Sequence, residues 1–262
     1  MKVAGCTALV TGANRGLGSA FVDGLLARGA MIYACARDVA SLAPLVQRAP
    51  DRIMPLELDV TDQRSVETAA ARAPDVTLLV NNAGRLDQLS LGEAGDLSSL
   101  RGEMEVNVFG MAAMCLAFAP IIARNGGGAI VNMLSRAAIV PPPHFGTYAA
   151  AKAAAMSLTH SMRWDYEPRG VRIVGVYAGL IATEMVANID MPKVPPEAVV
   201  TRVLDGVEAG EGDIAVDEPS ALLRAQFHAG LEEALQVTRD RATAIRAKFP
   251  RVPRHDGGAN QS

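Results

Sequence analysis

The segment "GTYAAAKAAAMSLTH" carries a phenol, Tyr148, and an amine, Lys152, four residues apart in a run of alanines. Alanine is the best helix former, so the run reads as helix and accounts for everything except these two polar side chains. A spacing of four puts both on one face, within reach of each other or of one bound ribose. A free phenol ionises near pH 10, too high for a proton relay at neutrality. An ammonium about 4 Å away, at an effective dielectric near 20, contributes roughly 4 kcal/mol, equivalent to about three pKa units. That effect predicts a phenol brought towards the working range of a general acid/base. The chain has only four lysines, its other basic residues being arginine, so this amine does not reflect local composition. A guanidinium would carry charge too, but its rigid fork does not replace a compact ammonium that binds ribose hydroxyls and passes a proton onward.

The start of the chain separately offers a place for a dinucleotide. After the apolar run "CTALVT" come Gly12, Asn14, Arg15, Gly16, Leu17 and Gly18, followed by the helical "SAFVDGLLARG". Glycines there permit a tight turn and close approach of backbone to a pyrophosphate, and the helix N-terminus presents free N–H groups. The second strand ends Ala36-Arg37-Asp38. An acidic residue at that end suits the ribose 2′-hydroxyl of NAD, whereas a carboxylate repels the 2′-phosphate of NADP. Alanine removes the repulsion, Arg37 can fork onto the phosphate, and Arg15 can approach from the glycine loop. The expected cofactor is therefore NADP(H) in preference to NAD(H). Asp38 dissents, since a strand ending one residue later would make it the ribose ligand.

The elements that must position these groups are legible as alternation. Short apolar runs recur at 6–11, 31–36, 53–58, 77–81, 129–134, 172–177 and 213–217, with alanine-rich helical patterns in most gaps. Near-continuous apolar strands alternating with helices predict an α/β fold: a doubly wound parallel sheet of about seven strands with helices on both faces. Two segments break the rhythm after strands, 137–147 with its prolines and 178–196. That edge is where open α/β sheets bind ligands, so both are expected substrate loops. The reading is one dinucleotide-binding Rossmann domain over 1–252, with 253–262 a disordered tail by composition.

Composition excludes several classes. A formal charge of −3 and no run of five basic residues give no field for nucleic acid. Cys6, Cys35 and Cys115 are odd in number and set in apolar runs, which predicts buried thiols, no metal set and a cytoplasmic protein. The N-terminus has no signal-peptide pattern. The uncharged stretch "VFGMAAMCLAFAPIIA" is shorter than a spanning helix and holds Gly110 and Pro120. A helix buried between the sheet and a neighbouring subunit is the expectation over membrane insertion.

In order along the chain stand T-G-x-x-x-G-x-G (Thr11 to Gly18), Asp59-Val60, Asn81-Asn82-Ala83-Gly84, Asn107, Ser135, Tyr148-x-x-x-Lys152 and Gly179-x-x-x-Thr183. With this series the chain resembles the short-chain dehydrogenase/reductases, in their single-domain form of roughly 250 residues. The resemblance implies a catalytic set of Asn107, Ser135, Tyr148 and Lys152. Tyr148 is the implied general acid in carbonyl reduction and general base in alcohol oxidation, and Ser135 holds the substrate oxygen. Lys152 lowers the phenol's pKa and holds the nicotinamide ribose, and Asn107 holds a water that links Lys152 to solvent. Asp59 and Val60 contact adenine, Asn81, Ala83 and Gly84 line the ribose side, and Ile181 and Thr183 hold the carboxamide.

The chain also departs from the pattern. The sixth strand ends Ala178-Gly179 where the family has Pro-Gly, which predicts a looser loop. The C-terminus lacks the family's Gly-rich pairing strand, which puts a homotetramer in doubt. A homodimer through 108–123 and the alanine face around Ala149 to Ala155 is the alternative. The substrate is a small carbonyl compound or alcohol, with Leu86, His144, Phe145, Met185 and Asn188 candidates for its pocket. Arg136 either meets an anionic group or turns to solvent or a carboxylate. The other reading is a catalytically silent NADP(H)-binding or sensing protein of the same fold, and an epimerase or dehalogenating relative is a smaller alternative.

Overall fold

Seven short apolar strands line up side by side in one parallel sheet because each is too apolar on both faces to leave either open to water. The computed structural model describes residues 1–142, 145–222 and 224–225. The strands are β1 Thr7–Thr11, β2 Met31–Ala36, β3 Ile53–Glu57, β4 Leu78–Asn81, β5 Gly128–Met133, β6 Val171–Tyr177 and β7 Asp213–Ala215. They run in the order β3-β2-β1-β4-β5-β6-β7, as expected of the doubly wound fold. Pro55 interrupts a strand pattern without harm because β3 is an edge strand.

Among the described residues seven α-helices cross between the strands: α1 Gly16–Ala27, α2 Ala43–Val46, α3 Gln63–Arg72, α4 Ser98–Met104, α5 Met111–Arg124, α6 Gly146–Tyr166 and α7 Pro196–Ala209. One core joins β1, β2 and β5 to Phe21, Val22 and Leu25 of α1 and Val199, Val203 and Val207 of α7. The other packs Val66 of α3, Met114, Phe118 and Ile122 of α5 and Ala151 of α6 on the opposite face. These elements form one compact unit, Met1–Ala221. The expected domain end at 252 and the expected tail 253–262 lie outside the described residues.

The apolar stretch 108–123 departs from its expectation at both ends. Ser98–Arg124 is continuous helix, long and apolar enough by length and composition to cross a bilayer, with 56% of its most apolar window buried in this fold. Its middle, Glu105–Gly110, is a π-helical turn with Asn107 buried inside it. Widened turns of this kind often sit at functional sites. Along the alanine run Ala149, Ala151 and Ala155 are buried within the chain, Ala150 is exposed and Ala153 and Ala154 are half-buried. Larger exposed apolar side chains lie at Phe109, Leu116, Leu158 and Trp164.

Candidate active site

Strand order reverses between β1 and β4, so their crossovers leave in opposite directions and open a crevice at the carboxyl ends. The two strand ends are tied across it. Thr11 Oγ1 accepts the main-chain N–H groups of Asn82, 3.0 Å, and Ala83, 2.9 Å. Asn82 Nδ2 donates to the carbonyls of Thr11 and Gly12. Gly12 has φ +63°, and a Cβ at Gly18 would collide with the Gly12 carbonyl, so loop and helix can meet only through glycine. Arg15 enters α1 with extended backbone and no side-chain cap, and no acid occupies the first turn. The orphan N–H groups of that helix start are therefore left for an anion.

A cleft of about 1050 Å³ runs from this loop to Tyr148 and Lys152. Asn14, Leu17, Arg37, Val60, Gly84 and Thr183 are among the residues that line it. A nicotinamide dinucleotide fits this arrangement by its phosphate cradle and by the continuity of the cleft. Asp59 also lines it; burial raises its carboxyl pKa, but the side chain and main-chain N–H of Thr61 hold it below the usual range. Ile181 lines it from the loop after β6.

One cofactor expectation needs correction. Asn81 does not line the cleft: it is buried in register with Asn132 of β5, and its Nδ2 donates to Asn132 Oδ1 at 2.9 Å and contacts Cys115 Sγ. Asn82 takes the cleft position, because β4 ends at Asn81 and the chain turns there. Arg15 lines the cleft beside the glycine loop and pairs with Glu184 at 3.2 Å, both side chains being largely exposed. Asp38 is already engaged, its carboxylate accepting from Ala40 N–H at 3.0 Å to cap a short 3-10 turn.

Ser135, Tyr148 and Lys152 come together where β5 ends against the start of α6. Ser135 is hydrogen-bonded to the phenol of Tyr148. Lys152 Nζ lies 5.6 Å from the centre of the Tyr148 ring and donates to the Met133 carbonyl at 2.8 Å. The expected cationic lowering of the phenol is not what this geometry gives. Burial dominates and pushes Tyr148 up to about 12, Ser135 opposing and Glu103 adding to the rise. Burial likewise pushes Lys152 down to about 8. Desolvation is the largest influence on each group, so spacing from the ammonium does not set the phenol's ionisation.

Asn107 joins the set through the main chain. Its Oδ1 accepts from Arg85 N–H at 3.2 Å and its Nδ2 donates to the Arg85 carbonyl at 2.8 Å. The amide therefore fastens the segment after β4 with one acceptor site and one donor, and one Oδ1 lone pair and one Nδ2 hydrogen remain.

On the substrate side, Leu86, Phe145 and Met185 line the cleft, and Arg136 does so near Asp217. Asn188 is instead clasped to Gln88, each amide donating to the other, and does not line the cleft. His144 lies outside the described residues. The loop after β6 is not loosened by Ala178: Gly179 N–H donates to Asp217 at 2.9 Å, and Ile181 bridges Val194. Sequence reasoning missed Asn82, the Gln88–Asn188 clasp and the fully buried Glu103. Glu103 alone had a signal, its spacing of four from Asn107.

Residues 6–193 match the model of the short chain dehydrogenase family. A short chain dehydrogenase of Monascus purpureus is 33% identical over 221 residues, covering 79% of this chain and 73% of its own. Among solved structures, a short chain dehydrogenase of Burkholderia cenocepacia in complex with NADP is 39% identical, with a TM-score of 0.82 over 91% of this chain and 98% of that one. A relative from Burkholderia phymatum in complex with NAD is 25% identical, with a TM-score of 0.77 over 90% and 96%. The chain belongs to the short-chain dehydrogenase/reductase family, oxidoreductases that act on small molecules.

Proposed function

We propose that this protein is an NADP(H)-dependent oxidoreductase that interconverts a carbonyl compound and a secondary alcohol, with Tyr148 as general acid/base. The observation that carries this reading is the cluster of Ser135, Tyr148 and Lys152 opening into the same cleft as the glycine loop. A bound dinucleotide supplies or accepts the hydride; everything else falls to the chain's own residues. Gly12, Asn14, Gly16, Leu17 and Gly18 hold its pyrophosphate, Asp59 and Val60 its adenine, and Ala83 and Gly84 its ribose side. Ile181 and Thr183 hold the carboxamide, and Lys152 the ribose next to it.

Ser135 holds the substrate oxygen and stabilises the charge that grows there during reduction, as an oxyanion donor does. Tyr148, hydrogen-bonded to Ser135, gives its proton to that oxygen. Lys152, the widened turn at Asn107 and water return the proton from solvent. In alcohol oxidation the same groups act in reverse.

Preference for NADP(H) rests on three features of the β2 end. Ala36 leaves no carboxylate at the strand terminus, Asp38 is committed to its cap, and Arg37 stands exposed at the rim. Fluorescence titration with NADPH and NADH, followed by NADPH absorbance against ketones, quinones, steroids and acyl thioesters, tests the reading. Tighter binding of NADPH with turnover of at least one class is expected. Tighter NADH binding overturns the preference, and tight NADPH binding without any turnover favours a silent binding protein.

A homo-oligomer formed through Phe109 and Leu116 of the 98–124 helix is part of the same proposal. Sedimentation of the wild type should give a dimer or larger species, and Leu116→Glu should give monomer.

A further inference from the structure

Gln88 is the only non-glycine residue, among those described, whose backbone takes the left-handed form, with φ +55°. A side chain there crowds its own backbone, so the conformation persists only where surrounding contacts hold it, and such residues gather at ligand clamps. The contacts that hold Gln88 come from the loop after β6, 100 residues along the chain. Gln88 Nε2 donates to the Met185 carbonyl and to Asn188 Oδ1, both at 3.1 Å. Asn188 Nδ2 donates back to Gln88 Oε1 at 2.9 Å. Each amide uses a donor and its acceptor on the other, which fixes their separation and orientation together.

The two segments joined in this way are held very differently. Residues 85–89 form a strap that is fastened to the helices carrying the catalytic groups. Arg85 is tied to Asn107 through both of its main-chain groups, and Asp87 N–H donates to Glu103. The Leu89 carbonyl accepts from Thr147 Oγ1 at 3.1 Å, one residue before Tyr148. The loop after β6 is closed at its stem, where Ala182 N–H donates to Val194 and Val194 N–H to Leu180. Beyond the stem its crown, 184–192, is largely exposed, Met185 by 48% and Met191 by 58%. Among the described residues, the hydrogen bonds that tie this crown to the rest of the protein are those of Gln88 and the Arg15–Glu184 pair. Leu86 on the strap and Met185 on the crown both line the cleft. A firmly held wall and a lightly held one therefore meet at Gln88.

Fold stability does not account for this arrangement. The clasp is exposed, and hydrogen bonds open to water contribute little net stability because water replaces them, while the backbone at Gln88 is strained. We propose that Gln88 and Asn188 are specificity-determining residues: their clasp sets the distance between Leu86 and Met185, and so limits the bulk of the carbonyl compound that reaches Ser135 and Tyr148. Neither amide touches the reacting atoms; both act by placing the walls. Leu86 and Met185 offer the substrate apolar surface, so the substituent beside its carbonyl is selected by size and not by polar recognition. Loss of the clasp frees the crown, and methionine adapts its shape to larger groups.

The inference rests on the carbonyl-reductase reading above, and its test separates the two. In the full-length protein, Gln88→Asn and Asn188→Gln each leave the clasp mismatched by one methylene, while the double swap keeps its total length. Asparagine also tolerates the left-handed backbone, so Gln88→Asn adds no strain to the strap. kcat and KM are measured for NADPH-dependent reduction of methyl ketones of increasing bulk, with NADPH binding on the same preparations. Preference for the smallest ketone over the largest, as a ratio of kcat/KM, should fall about tenfold in each single variant and return to within about threefold of wild type in the swap. The change should lie in KM, with NADPH binding unaltered. Unchanged preference in either folded single overturns the proposal, as does an even loss of activity across the series or a swap no better than the singles. Should wild type reduce none of these ketones, the reading of function fails, and ketone binding to the NADPH complex is followed by nucleotide fluorescence instead. A size preference that relaxes in the singles and returns in the swap then supports the clasp; any other pattern, absence of binding included, overturns it.

Discussion

At the start of α6, Lys152 is buried and Tyr148 half-buried, with no opposite charge bonded to either among the described residues, Lys152 donating to a main-chain carbonyl. Further along the same helix, His160 and Arg163 converge on Asp213 of β7, Arg163 donating at 2.7 and 3.1 Å and His160 lying 3.5 Å away. Burial raises the Asp213 carboxyl, but bonds from His160 and Arg163 overcome it and hold the group far below its ordinary range. One helix thus carries a compensated cluster and an uncompensated one. The first fastens the edge strand to the helix. The second holds a phenol and an amine away from their usual ionisation, which costs stability and leaves both groups reactive. The difference teaches that burial of polar groups alone does not mark a site; burial without charge compensation does.

Removing one member of each cluster should have opposite results. Lys152→Met is expected to reduce turnover at least about 10³-fold, through loss of ribose binding and proton return. It should leave the fold at least as stable as wild type at pH 7. Because burial lowers the folded pKa of Lys152 to about 8 from 10.5, the unfolded chain binds more protons between these values. Wild-type stability should therefore rise with pH across that window, and the variant's should not, by up to about 3 kcal/mol in urea titrations. Loss of stability in Lys152→Met would break the comparison.

Asp213→Asn should do the reverse, lowering stability by about 2 kcal/mol at pH 7 with turnover near wild type. The sign with pH is fixed by the depressed carboxyl. Its contribution is present above the unfolded value of about 3.9 and is lost as pH falls below it towards the folded value. The gap between wild type and Asp213→Asn should thus close below about pH 4. Arg37→Ala comes next, expected to weaken NADPH binding about tenfold while leaving NADH binding unchanged, as loss of one charge-assisted phosphate contact would do. The smallest effect belongs to Glu184→Ala. Its pair with Arg15 is exposed and should contribute no more than about 0.5 kcal/mol to thermal stability.

What the sequence revealed follows the physics of each feature. Strands were legible because both faces of the sheet are covered, leaving runs such as "ALV" and "LLV" with no polar interruption. The glycine loop was legible because close backbone approach leaves only glycine at Gly12 and Gly18. Asn81 and Asn82 were not separable, because which of two adjacent side chains faces inward depends on where the strand ends and on its register with Asn132. The π turn around Asn107 has no residue signature, since it arises from how α4 meets the segment at Arg85. The pKa of Tyr148 went the wrong way because spacing gives proximity to Lys152 but says nothing about the depth of burial.

The most direct test of the account is Tyr148→Phe, with NADPH binding, thermal stability and carbonyl reduction measured on one preparation. Loss of one hydroxyl should leave binding and stability within about 1 kcal/mol of wild type and reduce turnover by at least about 10³-fold. Near-normal turnover in the folded, NADPH-binding variant would contradict it.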